Sequence, residues 1–582
     1  MASTKNHLIV AAIDFGTTYS GYAFSTRDNY KRDPLKVSSS MWNSGSGGLI
    51  SLKTSTCVLF KPNGQFDSFG YVAENRYAEL ALDEIHQGWR YFRRFKMSLY
   101  ENKFLNRCFQ LEDDQGAKMP AMTVFSSSIK YLKDHMMETC RNQVHNIEDS
   151  DILWVLTVPA IWSDASKQFM REAAVKAGIE SCRLRIALEP EAASLYCKHL
   201  PMEKGETGIS SFSAGSKYLV LDAGGGTIDI TVHQVQGDGS LKEIHKANGG
   251  DWGGTKVDIA YQTLLTRIIG DKGFGKFCRE NKADMIELFR DFEIKKRTVN
   301  PKPDVGEKLT FKIPTAMNEC CRAKNKGKDM KKMIKSNTNY KEHFSITGDK
   351  LRVAGSIAKD LFKDPVRHII DHMKTIMRDT ASIGTIAIIL VGGFSESLVL
   401  QSEVRKAFPA FRMSVPPETG LAVLKGAVIF GHEPKIVTSR ICKYTYGMSS
   451  TCRFQEGVHD PSKLFTTSFG ECMCRDIYDI HVCRGESLDI GKLIPAKILH
   501  VCESNQTSIL MQIFASTQEH PMYVTDPSCC KIGELHINMT DTSRGLDRGV
   551  NVQMRFGNTE LEVEATDIFT GESINATFDF LK

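Results

Sequence analysis

Ile13-Asp14-Phe15-Gly16-Thr17-Thr18-Tyr19-Ser20 and a second stretch, Leu221-Asp222-Ala223-Gly224-Gly225-Gly226-Thr227-Ile228-Asp229, decide how this chain is read. Each follows an apolar run of strand type, residues 8–13 and 218–221, and each leads into another, residues 22–24 and 228–232. The shape is strand, acid, Gly/Thr turn, strand. Such a turn aims successive backbone N–H groups at one point and makes a cradle for phosphate oxygens. Glycine lets the backbone approach without a Cβ, threonine hydroxyls add donors, and an Asp at a strand end can hold a hydrated Mg2+. Two copies imply two related lobes that close on one nucleotide from opposite sides.

Working outward, 582 residues are enough for about three or four folding units. With 41% hydrophobic and 25% charged residues the composition is that of an ordinary globular chain, and a net charge of +5 gives no reason to expect nucleic acid. No apolar run reaches the roughly 18 residues a membrane span needs. The N-terminal apolar stretch runs straight into Asp14, unlike a signal peptide. A cytoplasmic location, with the nucleus open, is the expectation. Sixteen cysteines then read as reduced thiols. Eight of them fall between Cys442 and Cys530, including Cys472-Met473-Cys474 and Cys529-Cys530. A redox or zinc site is one reading; small half-buried residues in a β-rich region is the other, preferred because zinc-type spacing is absent.

Residues 1–200 alternate strand-like and helix-like stretches, an α/β pattern. Residues 152–158 form a continuous apolar run, the mark of a buried strand. Residues 163–177 predict a helix, with Ser163 or Asp164 as N-cap and Gly178 at the stop. Polar Gly/Ser-rich stretches at 38–48 and 205–216 read as surface insertions. The pattern restarts at 217, and a strand at 386–391 ends in Gly392-Gly393. A basic run from Arg322 to Lys335 reads as a solvated loop or helix, because no aromatic residues interleave it. After Pro434 the chain turns to short runs of period two, such as 550–556 and 561–565, which predict antiparallel strands with one buried face.

Further segments join the two loops. Gly249-Gly250 and Gly253-Gly254 could let backbone approach a ligand. Residues 293–300 read as a helix that places Glu293, Lys296, Arg297 and Asn300 on one face, a set that suits a ribose and a purine edge. Val391-Gly392-Gly393-Phe394 is a strand-to-Gly turn that could brace a base or phosphate.

In this order the motifs resemble the heat-shock 70 kDa chaperones, with their actin-like ATPase core. Residues 14–20 and 222–227 look like the two phosphate signatures, 157–160 with 189–193 the hinge strand and connecting segment, 293–297 the adenosine helix, and 390–393 the adenosine turn. The resemblance covers about residues 8–432. Phe92-Arg93-Arg94-Phe95-Lys96-Met97 and the insertion near 205–216 resemble a divergent branch of the family, its twelfth-member type. The resemblance implies roles. Gly16, Thr17, Thr18 and Tyr19 with Gly224, Gly225, Gly226 and Thr227 would cradle phosphate, and Gly253 and Gly254 would line the same site. Asp14, Asp222 and Asp229 would hold Mg2+ through water. Lys96 would stabilise charge on the transferring phosphate or orient the attacking water, with Lys103 as its fallback. Glu189, Asp222 and Thr227 would complete the catalytic set. Glu293, Lys296, Arg297 and Asn300, with Gly392, Gly393 and Phe394, would grip the adenosine.

Three departures bear on the base. Glu396 stands where the chaperones usually present an arginine against adenine, Gly420 where they have aspartate, and Lys167 where they have arginine. Residues 550–580 look like the last hairpins of the family's peptide-binding β-sandwich. The acidic-leucine linker is missing at 434–446, and neither a helical lid nor an acidic tail is expected after these hairpins. The expected fold is therefore α/β: a two-lobed actin-like ATPase core of duplicated ribonuclease-H-like lobes, 1–216 and 217–434, the last part returning to the first lobe, followed by a β-sandwich without lid, 435–582. The expected activity is a chaperone-type clamp on ATP or ADP with Mg2+ and slow hydrolysis, its β-domain taking protein clients or a partner, with co-chaperones. A nucleotide-responsive adaptor is the alternative, favoured by the missing lid and linker. An actin-fold metabolite kinase is remote, because no catalytic Asp motif for a sugar hydroxyl is found.

Overall fold

Continuous apolar runs become the middle strands of two sheets, since a strand covered on both faces has no reason to alternate. A computed structural model describes residues 7–43, 50–144, 146–200, 213–467, 470–501, 503–556, 559–574 and 576–581. Polar stretches 44–49 and 205–212 and the turn residues 557–558 lie outside them. In the first sheet the order is Leu184–Leu188, Ile152–Val158, Ile9–Phe15, Tyr19–Thr26, Ser38–Ser39, with Thr54–Ser55 also paired to Tyr19–Thr26. In the second it is Arg412–Ser414, Thr385–Val391, Lys217–Ala223, Ile228–Val235, Leu241–Gly250, Val437–Ile441, Ser487–Asp489. The two share one arrangement. Each acid-bearing strand forms an antiparallel hairpin with the strand after its Gly/Thr loop, and a parallel ladder with a later strand on its other side.

Helices Glu189–His199 and Ala422–His432 pack on each other between the sheets, and the apolar cluster around them draws on both, from Val10 and Val155 to Val220 and Ile389. Gly426 allows this approach: a Cβ there would run into the Ala192 carbonyl. The helix after the strand Ile152–Val158 spans Asp164–Lys176, and Ser163 caps it by accepting from Ser166 N–H.

Local pattern misjudged two places. The 38–48 stretch is not wholly a surface insertion: Ser38–Ser39 extends the first sheet, and Trp42 is buried edge-on against Tyr22. The helix expected over 293–300 ends at Lys296, with Arg297 as its C-cap. The basic run lies on and between two short helices, Thr315–Lys324 and Met330–Ser336; its cations are exposed while Met317, Cys321, Met330 and Ile334 face inward.

Beyond Pro434 the strands Val437–Ile441 and Ser487–Asp489 continue the second sheet. The others form two antiparallel sheets, six-stranded and four-stranded, that share a core of Met448, Ile513, Leu535, Ile537, Val550 and Val552. The end of the chain returns to the first sheet. Arg107 pairs with Glu172 and Asp579 (2.7 and 3.0 Å), Arg171 pairs with Glu560 (2.5 Å), and Leu581 is buried in the core beneath the first sheet. No helix among the described residues is long and apolar enough to cross a membrane.

Candidate functional site

The two loops meet. A Cβ on Gly225 would collide with the Thr18 hydroxyl, and one on Gly226 with the Thr17 hydroxyl and the Met97 sulfur. The segment after Gly250 is stitched to the second loop by three backbone hydrogen bonds: Gly253 to Gly226 (2.9 Å), Gly254 to Gly224 (3.1 Å) and Thr255 to Gly225 (2.8 Å). Gly253 and Gly254 thus belong to the loop assembly. Gly392 adopts φ +84°, and a side chain there would strike the Asp222 carboxylate, so the turn after Val391 also closes on the acid.

Beneath the loops lie four buried carboxyls. Asp222 and Asp229 face each other across their hairpin. Asp14 accepts from Thr157 (3.0 Å) and pairs with Lys53 (2.6 Å). Glu189, the first residue of its helix, pairs with Lys96 (2.7 Å). Lys96 is itself buried, on the turn Phe95–Leu99, with its ammonium 5.2 Å above the Trp162 ring. Lys103, the fallback, is exposed. Burial alone would raise Asp14, but Lys53 and then Lys96 outweigh it and hold the carboxyl below its usual range. Burial, and then the charges of Glu189, Asp229 and Asp14, push Asp222 far up. Asp229, buried and near Glu189, is pushed up to about 7 although it accepts from Ile161 N–H (2.9 Å). Burial likewise raises Glu189, against the pull of Lys96.

Four carboxyls against two ammonium groups leave two negative charges unmatched when all ionise, and Asp222 Oδ2 is buried without a hydrogen-bond partner. That excess fits a divalent cation. Among the described residues no trio of Asp, Glu, His or Cys is placed to ligate one directly, so the fit is to a cation held through water.

A family model described as Hsp70 protein matches residues 93–432. Heat shock 70 kDa protein 12B of Homo sapiens is 34% identical to this chain, over 98% of it and 91% of that protein. Heat shock 70 kDa protein 12A of Mus musculus is 33% identical, over 100% of this chain and 93% of its own length. The chain belongs to the Hsp70 family. A chaperone protein HscA homolog of Neisseria meningitidis matches more distantly, 26% identical over 50% of this chain. The Hsp70 family is ATP-binding, with an actin-like ATPase fold of mixed α/β content.

Most of the residues expected to grip the adenosine are held by partners within the chain. Lys296 pairs with Glu293 (2.5 Å) and with Asp258 (2.7 Å), which also takes Arg94 (2.6 Å). Arg297 reaches Glu293 (3.2 Å) and Glu396 (3.3 Å) and lies 5.7 Å over the Tyr19 ring, spanning from one sheet's side to the other. Phe394 is buried and stacks with Phe362. Asn300 does not join this group: beyond the helix end, its amide donates to Glu307 (3.0 Å) and its carbonyl accepts from Lys302 N–H. Two of the three departures are physically linked. A Cβ on Gly420 would sit 3.1 Å from Glu396 Oε1, so an aspartate there would set two carboxylates face to face, and glycine removes the conflict.

Lys53 and Asp258 carry no motif. The pairing of Tyr19–Ser20 with Thr54–Ser55 brings Lys53 to Asp14, and only that ladder reveals it. The third departure, Lys167, sits 3.6 Å from Asp164, which also accepts from the Tyr446 hydroxyl (3.1 Å).

Proposed function

We propose that this protein is an Mg-ATP clamp of chaperone type with slow hydrolysis. The observation that carries the reading is the meeting of two Gly/Thr loops, one from each sheet, over a single buried cluster of four carboxyls and two lysines. In this reading residues 1–216 and 217–434 are duplicated ribonuclease-H-like lobes that clasp the nucleotide, and 435–582 is a β-sandwich for protein clients or a partner, with co-chaperones acting on the cycle in the cytoplasm.

When bound, Mg2+ would supply neutralisation of charge on the phosphates. Asp14, Asp222 and Asp229 are the groups to hold it through water. Thr17, Thr18 and Thr227 offer hydroxyls, and the glycines of both loops offer backbone N–H groups, to phosphate oxygens. Lys96, fixed by Glu189, stabilises negative charge that develops there. Because Thr17 and Thr18 touch Gly225 and Gly226, the loops part to admit phosphates and close behind them. Arg297, already held by Glu293 and Glu396, has less of its charge to offer a purine, which favours a weakened base grip and slow turnover.

Calorimetry with ATP and ADP, with and without Mg2+, tests the site. Binding of both nucleotides that tightens with Mg2+ is expected, and Lys96→Ala should bind ATP yet lose turnover. No heat with either nucleotide, or full turnover by Lys96→Ala, would contradict the reading.

A second reading, a nucleotide-responsive adaptor without foldase activity, is favoured by how the C-terminal part is held. The segment Val437–Ile441 lies in the second sheet, with Arg440 bidentate to Glu191 at 2.6 Å, and Leu581 is buried at the other end. ATP-sensitive release from a peptide array supports the chaperone; tight binding to one partner, indifferent to ATP, supports the adaptor.

A further inference from the structure

The strand Thr445–Arg453 runs antiparallel to Cys472–Val482, and an irregularity between Ser450 and Cys452 shifts their register. Before it Ser450 faces Ile477; after it Cys452 faces Cys474. An unbroken ladder would have set Cys452 against Arg475. The bulge therefore brings two members of the C-terminal cysteine group directly opposite each other. Opposed residues of an antiparallel pair have Cα atoms about 4.5–5.5 Å apart, inside the span of about 4.4–6.8 Å that a disulfide bridges.

His459 adds a third group. Its Nδ1 accepts from the Gln455 backbone N–H (3.0 Å), so the neutral ring carries its proton on Nε2. Nε2 lies 3.7 Å from Cys452 Sγ and donates to it. The loop bearing His459 is tied down. Asp460 N–H donates to the Tyr523 hydroxyl (2.8 Å), and Lys463 reaches Asp476 (2.7 Å) and Thr525 (2.9 Å). Cys452 is half-buried and within reach of a small solute, whereas Cys474 is fully buried. Burial, then the neighbouring Cys452, pushes the Cys474 thiol up. The pair is thus asymmetric: one sulfur approachable and facing an N–H donor, the other sheltered.

We propose that Cys452 and Cys474 are a redox pair, in which Cys452 reacts with a peroxide and Cys474 resolves the product into a cross-strand disulfide. The Cys452 thiolate attacks one oxygen of hydrogen peroxide. The O–O bond breaks, hydroxide leaves, and the sulfur is oxidised to a sulfenic acid while the peroxide is reduced. The Cys474 sulfur then displaces the sulfenic hydroxyl, which departs with the thiol proton as water, and the S–S bond forms. The bond joins the strands Thr445–Arg453 and Cys472–Val482 beside their bulge, so the oxidised protein is cross-linked at that end of the sheet. Cys472 faces Thr466 on the neighbouring strand and takes no part.

The test uses the full, reduced chain treated with stoichiometric hydrogen peroxide, blocked with a maleimide and mapped by mass spectrometry. A peptide linked through Cys452 and Cys474 is expected as the first disulfide to appear. Cys474→Ser should leave a Cys452 sulfenic acid that dimedone labels, His459→Ala should slow its formation, and Cys472→Ser should change neither. Absence of the linked peptide from the unmutated chain, or its formation only after other cysteines have oxidised, overturns the proposal without reliance on any variant. Loss of the link in Cys472→Ser overturns the assignment of the pair.

Discussion

Replacing Arg440 by methionine tests what holds the strand Val437–Ile441 in the second sheet. Arg440 Nε and Nη2 donate to the two oxygens of Glu191 at 2.6 Å each, and the two side chains keep only 10% and 3% of their surface exposed. Methionine replaces the aliphatic stem but leaves Glu191 without its cation. Breaking a buried pair by removing one partner costs about 3–5 kcal/mol. The cheapest escape for the orphaned carboxyl is to take a proton. For an ordinary glutamic acid, with a pKa of about 4.3, that costs about 3.7 kcal/mol at pH 7 and about 1 kcal/mol at pH 5. Glu243 nearby is pushed up to about 8 by burial and by Glu191, and so adds little charge at pH 7. Arg440→Met should therefore lose about 3–4 kcal/mol at pH 7 and only about 1 kcal/mol at pH 5. Urea unfolding followed by tryptophan fluorescence reads both values. Adding Glu191→Gln removes the stranded charge and should restore most of the loss. A loss under about 1 kcal/mol at pH 7, or one equal at both pH values, would refute the reasoning.

Two further outcomes follow from the same structure. Glu243, raised on folding from the usual 4.5 to about 8, contributes stability that is whole below the lower value and is lost as pH rises through the upper one; Glu243→Gln should flatten the fall of the urea midpoint between pH 5 and 9, and an unchanged slope speaks against that burial. Gly226→Ala places a methyl against Thr17 and Met97, an overpacking of about 1–3 kcal/mol that should weaken ADP binding about 5- to 150-fold in calorimetry; an unaltered Kd means that the loops do not close there.

Much of the core was legible in the sequence. The strand Ile152–Val158 has the bounds that its apolar run predicts, and both acid-bearing hairpins form where their Gly/Thr turns stand. These are local matters: a run buried on both faces and a turn that only small residues permit. The helix is expected past Lys296 because no apolar stripe marks its end between Lys295 and Asn300, and Asn300 is drawn off by Glu307. Trp42 in a Gly/Ser-rich stretch looked like surface, yet a pocket formed by Tyr22 and His135 takes it in. Lys53 was invisible because nothing about an isolated lysine says which strand will lie beside it.

By itself the sequence determined the two Gly/Thr loops, the acids at their strand ends, the α/β succession and the change to period-two strands after Pro434. Tertiary structure alone decided which charges meet. Lys96 finds Glu189 from 93 positions away, Arg440 finds Glu191 from 249, and Arg297 takes Glu396 in place of the arginine that the resemblance led one to expect there. Backbone turns and burial patterns are written over a few neighbouring residues. The energy of a charge depends on distance and dielectric in three dimensions, and neither exists until the sheets have come together.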